Sequence, residues 1–200
     1  MATNSVYEPL YTNSWALVIG INEYDFAPPL SYACNDADKF ADIICNKLSF
    51  PEENITILKD KDATKQNILS SYLEFTSNKI EPNDRVIVFF AGHGLTRLGS
   101  RGEVGFLVPI DGNADDIKTL IRWAELTGNS ELVPAKHILF IMDACYGGLA
   151  VQRYLPPGSM RFAKDMLQRF TRQVLTAGKA DEVVSDSGGP GVCQQRCRVH

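Results

Sequence analysis

Apolar and polar positions along this chain fall into two alternating regimes. Short runs of β-branched and aromatic residues, "WALVIGI" (Trp15 to Ile21), "NITIL" (Asn54 to Leu58), "RVIVFFAGHG" (from Arg85) and "HILFIMDA" (from His137), read as strands. The third is continuous in apolar residues and is expected to be covered on both faces. Between the strands the period changes to that of a helix. Ala37, Phe40, Ala41, Ile44 and Leu48 recur at helical spacing within Ala33 to Leu48. Thr64 is placed to cap a second helix, from Lys65 to about Asn78, with a stripe of Ile68, Leu69, Tyr72 and Phe75. "GEVGFLVPID" suggests a short extended segment, and Asp115 to Leu126 a third helix with Trp123 on its inner side. Beyond the fourth strand, Met160 to Arg172 is a basic amphipathic segment and "QVLTAG" a further strand. Strands alternating with helices predict an α/β protein, a mainly parallel sheet with helices on both faces, hence a three-layer α/β/α sandwich. Ligands of such sheets bind outside the carboxyl ends of the strands.

Composition narrows this picture without redirecting it. With 200 residues, 44% hydrophobic and 22% charged, the chain suits one globular domain with a real core. A formal charge of -4 gives no electrostatic reason to expect nucleic acid, so protein or peptide is the expected partner. The apolar runs are far shorter than the ~20 residues a membrane helix needs. "MATNSVYEPLYTNS" has neither the basic start nor the apolar middle of a secretory signal, so no membrane span and a cytoplasmic location are expected. Cys34, Cys45, Cys145, Cys193 and Cys197 form an odd, scattered set rather than a disulfide framework. Cys34 and Cys45 read as packing residues. The closing "CQQRC" with His200 offers three soft ligands where a closed zinc site wants four.

Two strand tips carry the chemistry. The third strand leaves "GHG", with His93 between two glycines, and the fourth leaves "DACYGG", with Cys145 just past its end. A lone cysteine is most often a buried structural thiol, and a lone histidine a satisfied core or turn residue. Together, at the ends of strands that can be neighbours in a parallel sheet, they suit an activated nucleophile. A thiol of pKa about 8.5 is mostly protonated at neutral pH and needs an imidazole to take its proton. Glycines allow close approach of a substrate backbone, and backbone N–H groups such as those of Gly94 and Cys145 can receive an oxyanion. His137 opens its strand at the far end, and His200 lies in the tail.

"FFAGHG" followed by "FIMDACYGG" resembles the catalytic core of the caspase and metacaspase clan of cysteine peptidases. His93 precedes Cys145 by 52 residues (145 − 93), against the ~50 common in caspases. "WALVIGINEY", "YACNDADKFADII" and "VLTAGKADEVVSDSGG" are similar, in the same order, to further segments of bacterial members, so the resemblance covers about Trp15 to Gly189. It implies a caspase-like fold over residues 15–189, with 1–14 an N-terminal extension and 190–200 an irregular tail. It implies His93 as general base, Cys145 as nucleophile and the Gly94 backbone as part of the oxyanion hole, with no third acid.

Caspases proper carry a Gln two residues before the nucleophile and arginines for a substrate aspartate. This chain has Asp143 there, and Asp36 matches the acid that metacaspase-like members place at the base of the same pocket. The resemblance thus implies cleavage after Arg or Lys, by charge complementarity. The plainer alternatives are that Asp36 caps the first helix and that Asp143 only orients a turn. Two departures touch pocket shape: Ala91 stands where metacaspases often have a serine, and Tyr146 replaces a common histidine. The acidic loop of calcium-dependent relatives is missing between Thr96 and Gly105; Asp111, Asp115 and Asp116 remain candidate calcium ligands, and no metal is expected to be required. Further expectations from the resemblance are self-cleavage between Arg153 and Lys179, an activating partner or sensor domain, and a role in regulated cell death or antiphage defence. The competing expectation is a catalytically silent interaction module. No G-x-S-x-G or Walker motif supports a hydrolase or nucleotide-binding alternative.

Overall fold

The computed structural model describes residues 10–100, 102–144 and 171–176. Five parallel strands make the main sheet, in the order β2-β1-β3-β7-β8: β1 (Ser14–Gly20), β2 (Ile55–Lys59), β3 (Arg85–Ala91), β7 (His137–Asp143) and β8 (Thr171–Thr176). Every residue of β3 is buried: the apolar run Val86 to Ala91 suits its central position, and Arg85 at its start donates to Ser14 Oγ. Helix α1 (Ala33–Leu48) lies on one face, packing Ala37, Ala41 and Ile44 against Ala16, Val18, Ile87, Phe89 and Ala91. Phe40 stacks on Phe89 with ring centroids 4.4 Å apart, worth about 0.5–1.5 kcal/mol beyond the area buried. Helices α2 (Lys65–Leu73) and α3 (Trp123–Asn129) pack on the opposite face with Leu17, Ile19, Val88, Phe90, Phe140 and Met142. The sandwich is therefore α/β/α, as the alternation of periods implies.

Helix α1 has the boundaries its periodicity gives. Thr64 caps α2 by accepting from the N–H of Asn67, but the helix ends at Leu73 and tightens into a 3-10 turn, Glu74–Thr76, short of Asn78. The expected helix from Asp115 to Leu126 does not form. Its first half is a 3-10 turn, Ile117–Thr119, and a two-residue strand β6 (Ile121–Arg122); only Trp123 onward is helical. Side chains explain this: Asn113 accepts from Asp115 N, Asp116 from Lys118 N, and Thr119 Oγ1 donates to Asp116 O. Such local bonds give the backbone an alternative to helix. Trp123 is nevertheless on the inner side, buried against Phe140.

A second, three-stranded antiparallel sheet goes beyond the single extended segment expected at "GEVGFLVPID". β4 (Gly94–Gly99) and β5 (Gly102–Leu107) form a hairpin, extended by β6. Gly99 pairs with Gly102 across a two-residue connection, so "LGSRGE" carried a hairpin signal that its polarity obscured.

At the amino edge of the main sheet, Asp84 is fully buried and accepts from Asn13 N, Trp15 Nε1 and Glu81 N. His137 bonds the Tyr11 hydroxyl at 2.7 Å there, at the far end of its strand from the carboxyl edge. At the opposite edge, β1 ends in Gly20, where α1 begins to cover it. A Cβ on Gly20 would lie 2.6 Å from the Ala33 carbonyl oxygen and 2.7 Å from Ala37 Cβ. Gly20→Ala is therefore expected to push the first turn of α1 away and to destabilise the protein by about 1–3 kcal/mol, read as a lower midpoint in chemical denaturation. An unchanged midpoint would mean that the helix can shift at no cost.

Candidate active site

The carboxyl edge of the sheet is where the sequence-derived residues gather. Gly20, Ala91 and Asp143 stand in register across β1, β3 and β7. Two inter-strand spacings, about 10 Å, therefore separate Gly20 from Asp143. Leu139 and Ile141 pack on the α1 side of the sheet, so by strand alternation Asp143 projects to that side too. Asp36 sits in the first turn of α1, the turn whose Ala33 and Cys34 lie against Gly20. Both acids are half-buried, and they share one edge and one face. The position of Asp36 also answers the capping alternative: the N-cap residue of α1 is Tyr32, with no side-chain cap bond. An acid in the first turn still benefits from the helix dipole, a modest effect of about 0.3–1 kcal/mol. Ala91, small and buried, stands in register between Gly20 and Asp143.

His93 follows β3 by two residues. Its imidazole Nε2 lies 2.8 Å from the carbonyl oxygen of Pro28, in the loop between β1 and α1. A carbonyl can only accept, so Nε2 carries the proton, and Nδ1 of the neutral ring keeps the lone pair. The loop thus sets both the ring's orientation and its tautomer. The main chain of His93 is held as well: its N–H donates to the Tyr24 hydroxyl at 2.8 Å, and its carbonyl accepts from Val108 N at 2.9 Å. Tyr24 also lies against the imidazole, ring centroids 4.8 Å apart.

Gly94 pairs with Leu107, and the bond just outside that pair runs from Val108 N to His93 O. Gly94 and Leu107 are thereby a non-hydrogen-bonded antiparallel pair, in which the N–H points away from the partner strand. The Gly94 N–H is not spent on β5 and faces outward from β4, the edge strand of its sheet.

β3 and β7 are hydrogen-bonded neighbours, with Gly92 N donating to the Asp143 carbonyl at 3.3 Å, so the two strand tips do adjoin. Ala144 is buried immediately after β7. Cys145 and Tyr146, the segments 153–170 and 177–179, and the tail from 190 lie outside the described residues.

Cys34 is more than a packing residue. Its thiol lies 3.2 Å from the Gly20 carbonyl oxygen and 3.3 Å from Asp60 Oδ2. Burial first, and the Asp60 carboxylate second, push it up to about 11. A thiol so strongly protonated is a poor nucleophile, which removes Cys34 as a competitor at this edge. Asp111 and Asp116 are engaged with the N–H groups of Lys65 and Lys118. Among the described residues, no three His, Cys, Asp or Glu side chains converge on a point where a metal ion could sit. No described helix is long and apolar enough to cross a membrane.

Pro28, Tyr24 and Asp60 are the site residues that sequence reasoning missed. "GINEYDFAPPL" gave only a loop, and contacts across 65 and 69 residues of chain leave no local pattern.

Comparison with known proteins agrees with this fold. The profile of the caspase domain family of peptidases matches residues 13–196. Metacaspase-1 of Eremothecium gossypii is 26% identical over 162 residues, 72% of this chain and 34% of that protein. Metacaspase III c of Phaeodactylum tricornutum is 32% identical over 146 residues, 66% of this chain and 42% of that protein. The chain thus spans well under half the length of these relatives. Among solved structures, a Geobacter sulfurreducens protein superposes with a TM-score of 0.55 at 21% identity, covering 68% of this chain and 52% of that one, a likeness of fold.

Proposed function

The chain belongs to the caspase-domain family of peptidases, and from that premise we propose that it is a cysteine endopeptidase cleaving after Arg or Lys. The observation that carries the reading is the bond between His93 Nε2 and the Pro28 carbonyl, which presents a basic Nδ1 at the strand tip adjoining the one that leads to Cys145.

In this reading Nδ1 takes the proton of the Cys145 thiol, and the sulfur attacks the substrate carbonyl carbon. Negative charge develops on the carbonyl oxygen and is received by the outward N–H of Gly94 together with the N–H of Cys145. The C–N bond breaks, and the leaving amine departs with the proton held on His93. Water, deprotonated by the same imidazole, then hydrolyses the thioester and restores the thiol. Two residues suffice, because a backbone carbonyl does the orienting that an acid does in a triad.

Asp36 and Asp143 are the recognition groups. Two half-buried carboxylates on one face, with the small Ala91 in register beside Asp143, favour a guanidinium or ammonium and disfavour an aspartate. No metal takes part in these steps. Processing between Arg153 and Lys179 would follow from the same specificity, and regulated cell death or defence is the setting in which such a peptidase would act, with a partner or sensor segment to release it. The test is hydrolysis of matched peptides ending in Arg, Lys or Asp by the wild type and by Cys145→Ala.

A further inference from the structure

The loop between β1 and α1 does more than supply the Pro28 carbonyl. At its start, the Asp60 carboxylate gathers the N–H groups of Asn22 at 2.7 Å and Glu23 at 2.9 Å, with the Cys34 thiol on its other oxygen. Asp60 itself adopts φ 41, a left-handed conformation that non-glycine residues take only where the surroundings enforce it. Burial alone would raise this carboxyl, but the N–H groups of Glu23 and Asn22 hold it below the ordinary range. A carboxyl depressed on folding contributes its stability above the usual Asp range and loses it only as pH falls through the lower, folded value. At neutral pH the anchor is therefore complete.

From this anchor the chain runs directly to Tyr24. Its ring lies against the imidazole, and its hydroxyl oxygen accepts from the backbone N–H of His93. Burial pushes the phenol well above its ordinary value, so the hydroxyl stays neutral across the working range. Gly92 is part of the same fit. A Cβ there would stand 2.6 Å from the Tyr24 oxygen and 3.1 Å from two atoms of the Phe90 ring. The glycine before His93 thus admits the tyrosine.

We propose that Tyr24 is a positioning residue for catalysis: anchored through the Asp60-bound turn, it fixes the peptide of His93 while Pro28 fixes the ring, so that Nδ1 keeps a single direction at the tip of β3. The proposal rests on His93 being the base. The contacts of Tyr24 there are with the His93 backbone N–H and ring, so its effect passes through His93.

Tyr24→Phe keeps the ring and removes the acceptor. It is expected to lower kcat about tenfold, with KM changed less than about twofold, because a small misplacement of a reacting group is costly. Gly92→Ala displaces the hydroxyl by a different route, so the double variant should be hardly slower than the worse single one. Full additivity, or a Tyr24→Phe enzyme with wild-type kcat, would overturn the proposal.

Alkylation of Cys145 by iodoacetamide across pH, followed by peptide mass, separates this idea from the reading beneath it, since it needs no substrate. His93→Ala should convert the profile to that of an unassisted thiol, half-maximal near about 8.5, and Tyr24→Phe should fall between. If His93→Ala leaves the profile unchanged, the dyad is wrong and the role of Tyr24 with it. If His93→Ala changes the profile and Tyr24→Phe does not, the dyad stands and only the role of Tyr24 is overturned.

Discussion

Replacement of His93 by alanine is expected to lower kcat/KM for an arginine peptide by about a thousandfold, within the 10²–10⁴ range of general-base contributions. The loss arises twice over. Without Nδ1 the thiol keeps its proton at neutral pH, and the leaving amine has no donor. The imidazole hangs from a segment beyond β3, half-buried, with its main chain held independently by Tyr24 and Val108. Thermal midpoint should therefore change little while activity collapses. Raising the pH should recover part of the rate in His93→Ala, as the thiolate forms unaided, and should recover far less in the wild type. A loss below about tenfold would place the base elsewhere. His137 is no substitute, since it is bonded to Tyr11 at the opposite edge of the sheet.

The second large effect concerns specificity. Asp143→Asn and Asp36→Asn are each expected to lower kcat/KM for arginine peptides by about ten- to a hundredfold, from the ~1.5–3 kcal/mol of a hydrogen bond to a charged group. The rate for a neutral residue in the same place should hardly change. The two variants should not add, because both carboxylates face one bound cation. Stability distinguishes recognition from a purely structural role. If Asp36 only favours the start of α1, Asp36→Asn costs about 0.3–1 kcal/mol in the denaturation midpoint and leaves the Arg-to-neutral preference intact. If Asp143 only orients the turn, Asp143→Asn lowers the rate for every peptide alike. Kinetics on paired arginine and norleucine peptides read these cases apart.

What the sequence discloses about this molecule is what depends on local period. β3 carries six apolar positions in a row, Val86 to Ala91, behind Arg85, and is buried throughout; α1 spans Ala33–Leu48, the limits of its apolar spacing. The neighbouring of β3 and β7, which the sequence allows, is realised in the sheet and brings Gly92 beside Asp143. Elements governed by side-chain bonds to the backbone were not legible in this way. Asp115 to Leu126 has helical composition, yet Asn113, Asp116 and Thr119 divert its first half. β4 is largely exposed beyond its base, so it lacks the apolar alternation that marks a strand. The support of His93 was hidden for a third reason. Tyr24, Pro28 and Asp60 meet it or its loop through contacts that join distant parts of the chain, and only the fold brings them together.

The decisive measurement is hydrolysis of matched fluorogenic peptides ending in Arg, Lys or Asp, by the wild type and by Cys145→Ala, with and without calcium. Cleavage after Arg and Lys but not Asp, independent of calcium and absent in Cys145→Ala, is the predicted result. Cleavage after Asp, or cleavage that survives in Cys145→Ala, would contradict it; a folded wild-type protein that cleaves none of the three would point to a silent interaction module instead.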